Sequence, residues 1–293
     1  MKKTSGSLML LCTALIWGTA FVAQRIGMEH LGPITFQSFR AVLGFLSLLP
    51  MVLLRRRLGK SGPMPSIAAS LSCGAVFAAA ATVQQIGLQY TTAGKAGFVS
   101  SLYVVLVPLL GLLLGRKPEK GVWIGVPLSV AGMYLMASVS GEGFSLGLGD
   151  WMMLASALLF ACHIIVVAHF APQADGVALS CSQFLVAGCL TMPIAILTED
   201  ITLTSLWAGK WALLYAGVLS CGVAYTLQIL GQKDTPPAIA SLTMSLESVF
   251  SAIAGVIVLH ETMEMTEIIG CILMLAAVVI AQMPIGRKKT DKA

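Results

Sequence analysis

Apolar residues run through this chain in long stretches, each about the length of one bilayer crossing. A span needs about 20 mostly apolar residues. Ten stretches qualify: Leu8–Gln24, Ile34–Leu54, Ile67–Gln89, Ala96–Gly115, Gly121–Ser138, Trp151–Phe170, Val177–Leu197, Trp207–Leu230, Ala238–Leu259 and Glu267–Met283. The third and fourth are separated only by Tyr90-Thr91-Thr92-Ala93-Gly94-Lys95, whose glycine punctuates the helix. The first follows Lys2 and Lys3 and begins like a signal peptide. It continues to about Ala23 with no small-x-small cleavage site, so a retained helix is expected. The pattern predicts an all-α polytopic membrane protein of ten transmembrane helices.

The pattern also occurs twice. Leu11, Ala14, Leu15 and Pro50 match Leu154, Ala157, Leu158 and Pro193 at an offset of 143 residues. Gln84, Gly87, Thr91, Ala96, Ser101, Leu102, Val105 and Gly111 match Gln228, Gly231, Thr235, Ala240, Ser245, Leu246, Val249 and Gly255 at 144. Ile124, Gly125, Leu128 and Ala131 match Ile269, Gly270, Leu273 and Ala276 at 145. Single insertions in loops would produce that drift. The chain then divides into a first five-helix copy over 8–138, a glycine-rich linker over 139–150, a second five-helix copy over 151–284 and a tail over 285–293. An odd number of spans per copy makes the copies enter the membrane in opposite directions. An inverted repeat of this kind is the sequence sign of a secondary transporter.

Composition and charge sharpen this picture. The 293 residues are 57% hydrophobic and 11% charged, with mean hydropathy +0.89. A soluble domain carries about 25% charged residues, so lipid must cover most of this surface. With both termini placed in the cytoplasm, that side holds Lys2, Lys3, Arg55, Arg56, Arg57, Lys60, Arg116, Lys117, Lys120, Lys233, Arg287, Lys288, Lys289 and Lys292, 14 of the 18 basic residues. Arg25, Lys95 and Lys210 fall on the other side with Glu142, Asp150, Glu199, Asp200, Glu261 and Glu264, and Arg40 lies within a span. The positive-inside rule selects this orientation, and the expected location is a bacterial cytoplasmic membrane. The segment Gln173–Asp175, also expected inside, has no Lys or Arg of its own. No basic run interleaved with aromatics suggests nucleic acid. Seven scattered cysteines without a C-x-x-C pair give no disulfide framework or zinc site. No cofactor or obligatory protein partner is implied, and monomer and homodimer both fit.

Three segments carry a family resemblance. Ala14-Leu15-Ile16-Trp17-Gly18-Thr19-Ala20-Phe21-Val22-Ala23 resembles the first-helix signature of the EamA family in the drug/metabolite transporter superfamily. Phe98–Leu109 resembles a second signature, and Leu246–Ala252 running on to Leu259-His260-Glu261-Thr262 a third. The resemblance covers about Leu8 to Met283. It implies ten helices in two repeats, cytoplasmic termini and transport of small molecules such as amino acids, other metabolites, nucleotide-type compounds or drugs, more usually outward. Many members carry a glutamate at the end of the fourth helix, where this chain has Arg116-Lys117.

Polar residues inside the spans are the candidate site. An acidic group at mid-span costs about 2.5 to 3.5 kcal/mol on insertion scales, so Glu247 should face the interior, where it can carry a proton or bind a cationic group. Its repeat partner Tyr103 should approach the same chamber from the opposite side. Arg40, whose partner is Gln183, lines the chamber or snorkels to the interface. His163 is a proton relay or a packed histidine. Trp17 (partner Phe160), Gln84 and Gln228 complete the set, and Thr13, Trp17, Ala20 and Gln24 form one helical stripe. Gly111–Gly115 and Gly121–Gly125 have the G-x-x-x-G spacing of close helix contacts, and Pro50 and Pro193, being repeat partners, are candidate hinges. An embedded enzyme would need a constellation that is missing: His260-Glu261-Thr262-Met263-Glu264 lacks the second histidine of H-E-x-x-H, and there is no G-x-S-x-G or Walker motif. A receptor or scaffold is the remaining alternative.

Overall fold

A computed structural model describes residues 2–91, 93–137, 147–259 and 263–283. Residues 139–146 of the expected linker, the tail 285–293, Glu142 and Glu261 lie outside these. The described residues form helices joined by turns, with no strand among them. Eight helical stretches are long and apolar enough to cross a membrane, at eight of the ten expected positions. The other two positions are filled by α4 (Ala93–Ser100) with α5 (Tyr103–Leu113), and by α6 (Lys120–Ala137).

The remaining elements are α1 (Lys2–Met28), α2 (Pro33–Arg57), α3 (Ile67–Gly87), α7 (Leu148–Phe170), α8 (Gly176–Thr198), α9 (Leu203–Ala208), α10 (Lys210–Leu214), α11 (Tyr225–Gln232), α12 (Pro237–Met244), α13 (Glu247–Leu259) and α14 (Met265–Gln282). Helix α2 packs along α8, and α6 along α14. Helix α3 lies against α7 and α8, while α1 lies against α11 and α13. The α6–α14 seam is tight because glycines remove the side chains between the backbones. A carbon added at Gly121 would sit 2.6 Å from the Ile280 carbonyl oxygen, and one at Gly125 2.8 Å from that of Ala277. The other G-x-x-x-G pair behaves differently. Gly115 lies beyond the end of α5 with φ +73° and nothing against it, so it ends the helix as a turn.

The register drift has a physical location. Gly74 on α3 faces Val186 and the Gln183 carbonyl, while Gly217 faces Leu43 and the Arg40 carbonyl, and each match is at offset 143. Further along, Gly87 faces the Gly149 carbonyl and Gly231 faces the Gly6 carbonyl. Here the partners still differ by 143, but the glycines differ by 144. One extra residue therefore enters the second copy between Gly217 and Gly231. It falls inside a helix, not in a loop as the sequence suggests. The helix absorbs it by widening: Tyr215–Ala224 is wound as a π-helix, and the Tyr225 N–H donates to the Ser220 carbonyl five residues back. Such widened turns are rare and concentrate at functional sites.

Helices α2 and α8 run antiparallel and are fastened at both ends. At the end carrying Arg55, the Asp175 carboxylate caps α8 by accepting from Val177 and Ala178 N–H at 3.0 and 3.1 Å. It also accepts from Gly62 N–H at 2.9 Å and pairs with Arg55 at 3.2 Å. Lys233 donates to the Ala174 carbonyl at 2.6 Å. The 173–175 segment, with no cation of its own, is thus supplied with two from elsewhere. At the opposite end, Glu199 after α8 accepts from Ile34 and Thr35 N–H at 3.0 and 2.8 Å, capping the first turn of α2.

Burial pushes the Asp175 pKa up, but the Gly62 and Ala178 amides and the Arg55 guanidinium outweigh it and hold the carboxyl below its ordinary value. A pKa lowered by folding contributes stability at neutral pH that disappears as pH falls through the lowered value. Acid should therefore release this clasp only below the ordinary carboxylate range. Asp175→Asn should flatten that limb of a Tm-against-pH curve measured in detergent. Glu199→Ala should remove a helix cap worth about 1 kcal/mol and lower Tm measured in detergent.

Candidate functional site

Two membrane helices are broken at equivalent points. Helix α4 ends at Ser100 and α5 starts at Tyr103, while α12 ends at Met244 and α13 starts at Glu247. At each break the backbone tightens into three-residue hydrogen bonds, Val104 N–H to the Ser101 carbonyl and Ser248 N–H to that of Ser245. Tyr103 and Glu247, the first residues beyond the breaks, meet. The Tyr103 hydroxyl donates to Glu247 Oε1 at 3.0 Å and the Ser101 hydroxyl donates to the same oxygen at 3.2 Å. Glu247 is 4% exposed. Both donors use Oε1, which leaves Oε2 without a donor among the described residues.

The second buried charge is Arg40, also 4% exposed, so it does not snorkel. Its Nε donates to Gln37 Oε1 at 2.5 Å and its Nη1 to Gln24 Oε1 at 2.9 Å. Arg40 and Glu247 are not paired with each other. Among the described residues the ion pair is Arg55–Asp175. Each buried charge is instead held by neutral side chains and keeps one polar atom unused.

Both charges line one central cavity, with Trp17, Gln24, Gln84, Ser100, Tyr103, Phe160, Ser220, Tyr225 and Gln228 among its other walls. Gln84 donates to Ser100 at 2.8 Å. Trp17 packs against Tyr225 with ring centroids 4.6 Å apart and planes inclined by 53°. The Trp17 Nε1 donor and the Gln228 Oε1 acceptor are buried without a partner. The cavity holds about 40 Å³, space for only a few waters. The chamber must widen to admit anything the size of a metabolite.

Six of the seven expected site residues, Trp17, Arg40, Gln84, Tyr103, Gln228 and Glu247, therefore converge on one chamber. His163 does not line it. It is fully buried behind Tyr225, ring centroids 6.0 Å apart, with its Nε2 3.1 Å from Gln183 Oε1. Of the helical stripe, Ala20 and Gln24 join Trp17 at the cavity, whereas Thr13 donates to the Ala224 carbonyl and is not a wall. Tyr225 and Ser220 were not singled out in the sequence. Tyr225 precedes Gln228 by three residues and so shares its helix face, a signal that was available. Ser220 sits in the π-helical stretch, whose winding the sequence does not announce. Among the described residues no cluster of three His, Cys, Asp or Glu side chains could hold a metal ion.

Comparison with known proteins agrees on the family and the fold. The model of the EamA-like transporter family matches residues 4–138 and again 147–283. The chain is 31% identical over 287 residues to an uncharacterized transporter of Archaeoglobus fulgidus, covering 97% of this chain and 87% of that one. It is 25% identical over 297 residues to the uncharacterized transporter YwfM of Bacillus subtilis, covering 100% and 99%. A protein of known crystal structure shares the fold with a TM-score of 0.79 at 16% identity, covering 95% of this chain and 96% of that one.

The two hydroxyls on Glu247 generate a thermodynamic expectation. Tyr103→Phe or Ser101→Ala alone leaves one donor on the carboxyl, at a cost of about 1 kcal/mol. The double variant leaves the group bare and should lose more than the sum of the two. A double-mutant cycle on thermal unfolding in detergent measures the difference.

Proposed function

The chain belongs to the EamA-like transporter family, and from that premise we propose that it carries a small zwitterionic metabolite of the amino-acid type by alternating access. It is a multi-pass membrane protein. The observation that carries the substrate reading is the pair Arg40 and Glu247. Opposite charges buried in one chamber, unpaired with each other, are costly unless something supplies their complements. A zwitterion supplies both: its carboxylate faces Arg40 and its ammonium faces Glu247 Oε2. Trp17, Tyr103, Phe160 and Tyr225 provide the apolar and aromatic surface between the poles, which suits an apolar side chain and the face of a cation.

The architecture we infer is ten spans in two inverted copies, with α4–α5 and α6 completing the count. Its support is reciprocity. The α2–α8 and α6–α14 pairs are each made of equivalent helices, α3 on α7 matches α11 on α1, and the breaks before Tyr103 and Glu247 coincide. The end that gathers Arg55, Lys60, Arg116, Lys117 and Lys233 is assigned to the cytoplasm by the positive-inside rule. The membrane is the bacterial cytoplasmic membrane, and both termini lie on its cytoplasmic side. Export is the direction we favour. In the empty site a proton on Glu247 takes the place of the substrate ammonium, which would exchange one proton for one substrate across the membrane. The small molecule and the lipid are the partners this function needs.

Purified protein in liposomes tests the reading with radiolabelled neutral amino acids. Glu247→Gln should abolish pH-gradient-dependent transport while the protein still inserts. Arg40→Gln should abolish binding of the free acid in a thermal-shift assay. The decarboxylated amine and the amino-acid amide should stabilise the wild type much less than the free acid does. Equal stabilisation by all three would remove the two-pole site.

A further inference from the structure

Tyr225 separates two regions of different character. On the cavity side it meets Trp17. Beyond it lie Phe77, Phe184 and His163, with ring centroids 4.9, 5.6 and 6.0 Å from that of Tyr225. Phe77 is also 5.1 Å from Phe184 and 5.9 Å from His163. None of these three rings lines the cavity. They form a closed aromatic cluster, fully buried in each case.

The repeat relates this cluster to the cavity itself. At the offset of 143 residues, the counterpart of His163 is Ala20, that of Phe77 is Ser220 and that of Phe184 is Ala41. Ala20 and Ser220 are cavity walls, and Ala41 is a fully buried neighbour in the same helix as Arg40. Two small walls of the chamber, Ala20 and Ser220, and the buried Ala41 beside Arg40 thus have rings as partners in the other copy. Inverted copies would otherwise give two matching half-chambers, one toward each membrane face. Here one half keeps a cavity where Ala20 and Ser220 stand. The other is filled by phenylalanine and histidine. Even the polar end is occupied: Gln183, the counterpart of Arg40, is bound to His163.

Resting on the inverted-repeat transporter reading above, we propose that Phe77, His163, Phe184 and Tyr225 are the barrier that seals the chamber from the basic, cytoplasmic end. Phe77 and Phe184 are its positioning residues, and they decide which side the site faces in this state. The cluster also carries a reason to part. His163 Nε2 lies 3.1 Å from the Gln183 side-chain amide, and Nδ1 is on the other side of the ring. That atom and Gln183 Nε2 are buried without partners. A static core would satisfy such atoms, whereas a barrier that opens to water relieves them on each cycle.

The test reads sidedness without any substrate. Ala20→Cys places a thiol on the cavity wall, and a membrane-impermeant charged maleimide is applied to right-side-out or inside-out vesicles. Peptide-resolved mass spectrometry reports labelling at position 20 with the seven native cysteines left in place. Adding Phe77→Ser and Phe184→Ala makes the filled half resemble the open one. Labelling from the cytoplasmic face should then rise by about tenfold or more, the scale of a population shift between closed and open barriers, with no matching rise from the other face. No rise in folded protein, or a rise from the other face alone, overturns the proposal. If the double substitution does not yield monodisperse protein, Phe184→Leu alone should show a smaller rise with the same sidedness, and its absence counts against the barrier equally. Failure of amino-acid transport in liposomes would sink the transport reading while leaving this labelling result to stand or fall by itself.

Discussion

A carboxyl group and a guanidinium cannot sit inside a bilayer unless the protein supplies what water would have supplied, and that demand organises the centre of this molecule. Glu247 and Arg40 are both almost fully buried, and both are met by neutral hydroxyls and amides. Neither is neutralised by the other. The helices that carry the carboxyl and its tyrosine are interrupted where the two approach. At each interruption the backbone stays hydrogen-bonded through tighter three-residue turns, as it must at this depth. The broken helices, the cavity and the buried charges are therefore one feature, not three.

Much of this was legible in the sequence, for identifiable reasons. Bilayer thickness sets the length of an apolar stretch, so eight of the ten expected stretches recur as span-length helices. Polar side chains within such helices avoid lipid, so Trp17, Arg40, Gln84, Tyr103, Gln228 and Glu247 were identifiable from residue type and depth and do share a chamber. What escaped was local geometry. Ser101-Leu102 and Ser245-Leu246 read as ordinary helix, since neither contains a glycine or proline to mark a break. The extra residue in the second copy shows as a change of offset, but matching cannot tell a loop from a helix as its host. The packing of Gly217 and Gly231 can. His163 looked like Glu247 by depth, yet it points into the aromatic cluster. Its polarity is met by Gln183 instead of by the chamber.

Equivalent positions in the two copies have diverged in a patterned way. Tyr103 and Glu247 occupy matched places and bind each other. Arg40 and Gln183 occupy matched places, and each is tied to a neighbour on the adjacent helix. At the ends of α2 and α8 one fastening uses an ion pair and a self-capped helix, while the other uses a carboxylate that caps its neighbour. The scaffold keeps its reciprocity in backbone contacts. Side chains differ both around the chamber and at the helix ends.

The seam between α6 and α14 has a bearing on how the molecule is made. Its glycines bring the backbones too close for any side chain to stand between them, so the strip on α6 fits only its distant partner. On the ribosome α6 emerges more than a hundred residues before α14, and long-range pairings of this kind are slow to form. Until then a groove of bare backbone stays open in the lipid. This seam cannot close until α14 has been inserted, which makes the arrival of that helix a step on which the pairing of α6 waits.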